Sequence, residues 1–156
     1  MTSGRRDPIL LTPGPLTTAL ATKEAMLRDL GSRDAEFVTL SQQVCARLLD
    51  IAGDDGNYEC VPIQGSGTFA LEAMIGTFVP PGGKLLILVN GAYGHRMGRI
   101  CGYLKRSFAI YEMAEDETHD VSHLDALLSD DPAISHVAIV HCETTSGILN
   151  PLSGAA

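Results

Sequence analysis

Apolar residues recur at helical spacing in the first third of the chain. One helix is predicted over 18–30, with Gly31 and Ser32 ending it. A second helix is predicted from its capping residue Asp34 to about Ala52, because an apolar stripe repeats every three or four positions. The stripe comprises Phe37, Leu40, Val44, Leu48 and Ile51.

The segment ahead of these helices is predicted to be extended. Residues 9–15 read ILLTPGP, and a turn is expected at Pro13-Gly14-Pro15, since X-Pro disfavours helix and glycine permits positive φ. A second turn is predicted at 53–57, where GDDGN follows the longer helix.

From residue 58 onward, short apolar runs alternate with helical patterns. Strands are predicted over 58–63, Lys84–Val89, 108–111 and 136–141. Helices are predicted over 66–79, 93–106 and 122–128, the last capped by Ser122. The runs LLILV and HVAIV lack polar alternation, which is typical of parallel strands buried on both faces. Together these elements predict an α/β fold with right-handed crossovers, in which a mainly parallel sheet carries helices on both faces.

Composition narrows the class of protein. The chain has 156 residues, of which 45% are apolar and 19% charged, so a disordered, collagen-like or coiled-coil protein is excluded. The net charge of −8 and the lack of any basic run longer than two residues argue against nucleic acid or an anionic membrane as a partner. No apolar run approaches the roughly 20 residues that cross a bilayer, and no apolar segment follows the first arginines as in a secretory signal. We therefore expect a cytoplasmic protein with four reduced cysteines.

Polar loops follow three predicted strands, at the edge where open α/β sheets bind ligands. In the first loop, QGSGT, Ser66, Gly67 and Thr68 combine hydroxyls, a close backbone approach and a helix N-terminus, which together favour a phosphate site. The spacing also matches the Gly-x-Gly-x-x-Ala dinucleotide fingerprint, but the next strand ends in Asn-Gly instead of an acid. A tight turn with a capped helix is the remaining alternative.

The second and third loops add candidate contacts to a flat polar ligand. Tyr93 follows a glycine loop and is either a stacking residue or an ordinary half-buried residue at a helix start. Thr144 and Thr145 either donate hydrogen bonds to a ligand or form a Ser/Thr turn. Glu143 is either a general base or a solvated or helix-capping carboxylate, and Cys142 is either reactive or a small buried hydrophobe. We expect no metal site, because His119 and His123 have no third ligand nearby.

Five motifs in one order carry a family resemblance. TPGPLTT, SRDAEF, QGSGTFALEA, NGAYGHR and HCETTSGILNP resemble the N-terminal part of the large domain of class V, fold-type I pyridoxal-phosphate-dependent aminotransferases. The resemblance extends from about residue 9 to 152. Within the class it is strongest to the branch that moves the amino group of 2-aminoethylphosphonate to pyruvate.

The resemblance implies roles for particular residues. Ser66, Gly67 and Thr68 would hold the phosphate of pyridoxal 5'-phosphate, and Tyr93 would stack on its ring. Thr144 and Thr145 would hydrogen-bond the substituents at the ring edge. The turn at Pro13, Gly14 and Pro15 would line the substrate side. Arg33 would approach an anionic substrate from the partner subunit, since family members are homodimers.

The resemblance also implies a lysine that bonds the cofactor covalently and an acid beside its ring nitrogen, both on later strands. The chain has three lysines. Lys23 falls on an exposed helix, Lys84 at the opposite end of its strand, and Lys105 about 18 Å along a helix from Tyr93. We therefore expect residues 1–156 to be an N-terminal fragment, without the small domain and inactive alone. The alternatives are a fragment of an alanine– or serine–glyoxylate aminotransferase, and a non-catalytic phosphate-ligand or interaction module.

Overall fold

The computed structural model describes residues 7–53 and 55–156. They form two compact units, Met1–Pro62 and Ile63–Ala156. Across the described residues, no helix is both long enough and apolar enough to span a membrane.

The first unit contains two helices, α1 (Leu20–Ala25) and α2 (Ala35–Ala52). The predicted bounds of α2 are confirmed, and Gly53 ends the helix in the left-handed conformation at φ 72°. Its apolar stripe is exposed, however: Leu40, Val44 and Leu48 each keep almost half of their surface accessible. Asp34 is the N-cap residue of α2, as predicted, but its carboxylate accepts the Gly31 N–H at 2.8 Å and no N–H of α2.

Helix α1 is shorter than the predicted range of 18–30. Before it, the Thr17 hydroxyl donates to the Pro8 carbonyl and accepts the Leu10 N–H, which holds residue 17 against the extended segment. After it, Met26 and Leu27 donate to carbonyls three residues earlier, in a tightened turn that does not continue.

The predicted turn at 13–15 forms differently, and the predicted strand at 58–63 does not form. Gly14 has no positive φ; the Gly14–Pro15 peptide bond is cis, and the Thr12 hydroxyl donates to the Pro15 carbonyl at 2.6 Å. Residues 58–63 join none of the strand ladders among the described residues. A strand requires a neighbouring backbone for its hydrogen bonds, and an apolar run alone does not supply one. Of the predicted turn at 53–57, Asp54 lies outside the described residues.

The second unit is an α/β layer structure. Helix α3 (Gly67–Phe78) precedes β1 (Lys84–Val89), α4 (Ala92–Tyr103) and β2 (Ser107–Glu112). A 3₁₀ turn (Val121–His123), α5 (Leu124–Asp130) and β3 (Ile134–Ile139) follow. The chain then forms a short antiparallel pair, β4 (Cys142–Glu143) and β5 (Ile148–Leu149), and ends in α6 (Leu152–Ala155).

The main sheet has the order β2-β1-β3 with every pair parallel, as the alternation of strands and helices predicts. Strand β1 is central and apolar on both faces, which explains the run LLILV. On one face, Leu85, Ile87 and Val89 pack with residues of α3 and α4. On the other, Leu86 and Leu88 pack with Leu124 of α5. The crossovers bring the loops after β1 and β3 to one edge of the sheet.

The bounds of β3 and the cap ahead of α5 differ from prediction. Strand β3 begins and ends two residues earlier than 136–141, because it pairs only with Lys84–Leu88 and the chain then turns into β4. The cap ahead of α5 is Asp120, whose carboxylate accepts both the N–H and the hydroxyl of Ser122. These bonds lower the pKa of Asp120.

Candidate functional site

The loop 64–68 opens helix α3 as a backbone cradle. Gly65 has φ 123°, and a Cβ there would lie 3.0 Å from the Phe69 ring, so this position requires glycine. Ser66 precedes the helix in an extended conformation, and its hydroxyl does not cap the first turn. Among the described residues, none accepts a hydrogen bond from the N–H of Gly67 or Thr68. Two donors at the positive end of a twelve-residue helix are therefore free to bind an anion.

Arg96 links this cradle to Tyr93. One guanidinium nitrogen donates to the Thr68 hydroxyl oxygen at 3.3 Å, and the guanidinium carbon lies 4.9 Å from the centre of the Tyr93 ring. Because the Thr68 oxygen accepts from Arg96, its own O–H stays free to donate. Tyr93 remains 37% exposed. Arg96 is not among the residues predicted from the sequence; the signal for it was a cation three residues after Tyr93, on the same face of a helix.

Glu143 lies at the centre of the site and is fully buried. Its Oε2 accepts the backbone N–H of Tyr93, in the first turn of α4, at 3.1 Å. Its Oε1 accepts the hydroxyl of Thr145 at 2.6 Å and the Thr145 N–H at 3.3 Å. Of the alternatives for this residue, the helix-capping carboxylate is the one that the structure supports, with the cap supplied from a distant strand. A solvated carboxylate is excluded by its burial.

The hydroxyl loop after Glu143 is a tight turn. The N–H groups of Ser146 and Gly147 both donate to the Glu143 carbonyl, at 3.2 and 2.8 Å, and Gly147 has φ 83°. The Thr145 hydroxyl proton is directed at Glu143, so this oxygen faces a ligand as an acceptor only. Thr144 is exposed and keeps its hydroxyl available. Cys142 is exposed too, so the prediction of a small buried hydrophobe is wrong.

The structure brings the backbone cradle at 64–68, Tyr93 and the hydroxyl turn to one edge of the second unit. The predicted substrate residues Pro13, Gly14, Pro15 and Arg33 belong to the first unit. The side chain of Arg33 is exposed in the turn between α1 and α2, and no described residue forms an ion pair with it.

Lys23 and Lys84 lie on the elements predicted for them, whereas Lys105 lies outside the helix predicted over 93–106, because α4 ends at Tyr103. Lys84 begins β1, at the end of the sheet opposite the candidate site, and its Nζ lies 2.5 Å from Asp131 Oδ2. This ion pair lowers the pKa of Asp131. Lys105 lies two residues beyond the end of α4, and Lys23 pairs with Asp7. Searched over the described residues, the chain brings no three potential metal ligands together.

Comparison with known proteins gives close relatives. The chain is 54% identical over 156 residues to a 2-aminoethylphosphonate–pyruvate transaminase of Pseudomonas aeruginosa, matching all of this chain and 42% of that protein. It is 56% identical over 145 residues to the transaminase of the same name from Pseudomonas putida, matching 93% of this chain and 39% of that protein. The chain thus spans about two fifths of the length of the curated relatives it matches. No protein-family model matches the chain.

Solved structures share the fold. An alanine–glyoxylate aminotransferase from Nostoc sp. superimposes with a TM-score of 0.83 at 26% identity, over 97% of this chain and 41% of that one. A pyridoxamine–pyruvate aminotransferase from Mesorhizobium loti superimposes with a TM-score of 0.84 at 24% identity, over 95% of this chain and 38% of that one. The architecture is therefore that of part of an aminotransferase.

Proposed function

We propose that this chain is the N-terminal part of the large domain of a 2-aminoethylphosphonate–pyruvate transaminase, a class V aminotransferase that depends on pyridoxal 5'-phosphate. The whole enzyme would transfer the amino group of 2-aminoethylphosphonate to pyruvate, giving phosphonoacetaldehyde and L-alanine in phosphonate catabolism. The 54% identity to a transaminase of this name carries the proposal. We further propose that the enzyme works in the cytoplasm as a homodimer.

The residues at the sheet edge fit the cofactor's phosphate. The donor set comprises the free N–H groups of Gly67 and Thr68, the Thr68 hydroxyl and the Arg96 guanidinium. Backbone N–H groups at a helix N-terminus and a guanidinium are the donors that a phosphate dianion prefers. Gly65 keeps the approach clear, because a side chain there would meet Phe69.

The other residues suit an aromatic ring. Bound pyridoxal phosphate supplies an electron sink for the electron pair left when the amine loses its Cα proton. Tyr93 would stack on the ring and hold it flat against the edge of the sheet, while Arg96 packs on the tyrosine. Thr145 would accept a hydrogen bond at the ring edge, and Thr144 would donate one. Pro13, Gly14 and Pro15 would line the substrate side, with Arg33 binding a substrate anion from across the dimer.

A chimera tests this proposal on the chain's own residues. Residues 1–156 would replace the aligned 156 residues of the Pseudomonas aeruginosa transaminase. We expect the purified chimera to form alanine from 2-aminoethylphosphonate and pyruvate, and a Tyr93→Ala chimera to lose at least about tenfold in kcat/KM. If a folded chimera transfers nitrogen only from alanine or serine to glyoxylate, this proposal is wrong. The chain would then be proposed as part of an alanine– or serine–glyoxylate aminotransferase.

The isolated chain tests the cofactor site separately. We expect pyridoxal phosphate to bind noncovalently, with a change in its absorbance spectrum that excess inorganic phosphate reverses. Borohydride treatment followed by peptide mass spectrometry should find no cofactor on Lys23, Lys84 or Lys105. A specific stoichiometric adduct on one of them would contradict the expectation that the bonding lysine lies elsewhere.

A further inference from the structure

We propose that Glu143 is a positioning residue that fixes Tyr93 and Thr145 relative to each other by binding both through one buried carboxylate. This inference adds a role to the proposed cofactor site and rests on that proposal for its functional meaning. The hydrogen bonds and the burial that support it do not depend on the proposed function.

The two carboxylate oxygens serve two different elements. Oε2 accepts the N–H of Tyr93, which belongs to α4, and Oε1 accepts the hydroxyl of Thr145, which belongs to the turn after β4. The residues so joined are 50 and 2 positions from Glu143 along the chain. A single side chain therefore couples the loop that follows β1 to the loop that follows β3.

Full burial makes both hydrogen bonds of Glu143 costly to break. Glu143 has no exposed surface, so a carboxylate oxygen that loses its donor there has no water to replace it. An exposed carboxylate with the same bonds would exchange partners with solvent at little cost. The burial of Glu143 argues for a fixed arrangement of the two loops rather than a surface contact.

Gly91 provides the space that the carboxylate occupies. A Cβ at this position would lie 2.5 Å from both Cγ and Cδ of Glu143. The φ of Gly91 is 168°, an extended value open to any residue, so glycine is required here for room and not for conformation. Gly91 thus leaves room for the side chain of Glu143, 52 residues later in the chain.

Other side chains would not reproduce the arrangement. Aspartate is one methylene shorter and would not span the same distance from β4. Glutamine has the same shape but only one accepting oxygen, so it keeps either the Tyr93 bond or the Thr145 bond in its present polarity. Because glutamine fills the same space as glutamate, any effect of Glu143→Gln reports the lost hydrogen bond and not a change in packing.

The experiment compares the full 156-residue chain with Glu143→Gln, Glu143→Ala and the control Glu115→Gln, which changes an exposed carboxylate. Amide hydrogen exchange at Tyr93 and Thr145 would be measured by NMR, with the Ile87 amide of central β1 as an internal reference. We expect Glu143→Ala to speed exchange at Tyr93 and Thr145 about tenfold relative to Ile87. Glu143→Gln should affect them less, and Glu115→Gln should affect neither.

Pyridoxal phosphate titration of the same variants supplies the second measurement. We expect Glu143→Ala to weaken binding about tenfold and to alter the circular dichroism induced in the bound cofactor, with partial rescue in Glu143→Gln. Unchanged relative exchange at Tyr93 and Thr145 in both glutamate variants would overturn the inference. If exchange at Tyr93 and Thr145 changes as expected but the chain does not bind pyridoxal phosphate, the role of Glu143 is supported. The proposed cofactor site is then overturned.

Discussion

The side-chain amides of Asn90 and Asn150 donate to each other, Nδ2 to Oδ1, at 2.8 and 3.0 Å. Both residues are buried, and each uses its second N–H on a backbone carbonyl, that of Glu117 for Asn90 and that of Val140 for Asn150. The pair joins the loop after β1 to the segment after β5.

Removing one member of this pair should destabilise the second unit. Asn150→Ala leaves the buried side chain of Asn90 and the part-buried Val140 carbonyl without this partner, and we expect a loss of about 1–3 kcal/mol in the free energy of unfolding. Urea denaturation followed by circular dichroism measures it, with the exposed Leu149→Ala as the matched control. The double variant with Asn90→Ala should lose less than the sum of the two single losses. An additive result would contradict the coupling.

His119 should make stability depend on pH. Its ring is buried, neither ring nitrogen has a hydrogen-bond partner among the described residues, and burial lowers its pKa below the usual 6.5. The unfolded chain therefore binds a proton that the folded chain resists, and stability falls as the pH drops below about 6.5. His119→Phe should flatten the change in unfolding free energy between about pH 7 and pH 5, measured by denaturant titration. His141→Gln, which changes an exposed histidine, should leave the pH dependence of the unfolding free energy unchanged. If His119→Phe also leaves it unchanged, another group causes the pH dependence.

Two glycines of α4 should respond oppositely to alanine. A Cβ at Gly94 would lie 3.0 Å from the Val89 Cα, a backbone atom that does not move aside easily. A Cβ at Gly102 would meet nothing within 4 Å. We expect Gly94→Ala to lose about 1–3 kcal/mol in unfolding free energy through overpacking, and Gly102→Ala to gain about 0.5–1 kcal/mol through helix propensity. Thermal melts of the two variants in parallel provide the test, and equal shifts in Tm would refute the close packing of α4 on β1.

Arg96 should contribute to phosphate affinity. Arg96→Met removes the charge beside Thr68 and keeps much of the apolar stem, whereas Arg99→Met removes a charge from the exposed side of the same helix. We expect the first variant to weaken pyridoxal phosphate binding about tenfold, and the second to change it less than about twofold. Titration at two salt concentrations measures both. Equal losses would indicate that net charge, and not the contact with Thr68, governs affinity.

The elements of the second unit were largely predictable because their signals are local. A run such as LLILV identifies a strand buried on both faces, and a glycine-rich loop before an apolar helix identifies a cradle of free N–H groups. The same local reasoning failed for residues 58–63, where strand formation depends on a neighbouring backbone. For α2 the periodicity correctly identified a helix with an apolar stripe, but periodicity identifies a face and not what covers it.

By itself, the sequence determined the α/β alternation, the parallel central strand and the position of the backbone cradle at 64–68, because these follow from periodicity and backbone chemistry within about ten residues. Only the tertiary structure decided how the loops interact. The contacts of Glu143 with Tyr93, Asn90 with Asn150 and Arg96 with Thr68 join residues 28 to 60 positions apart. The sequence pattern of a polar residue after a strand is the same whether its side chain faces water or a buried hydrogen-bond donor. The crossovers determine which loops meet at the edge of the sheet, and so they determined that Glu143 is buried between two of them.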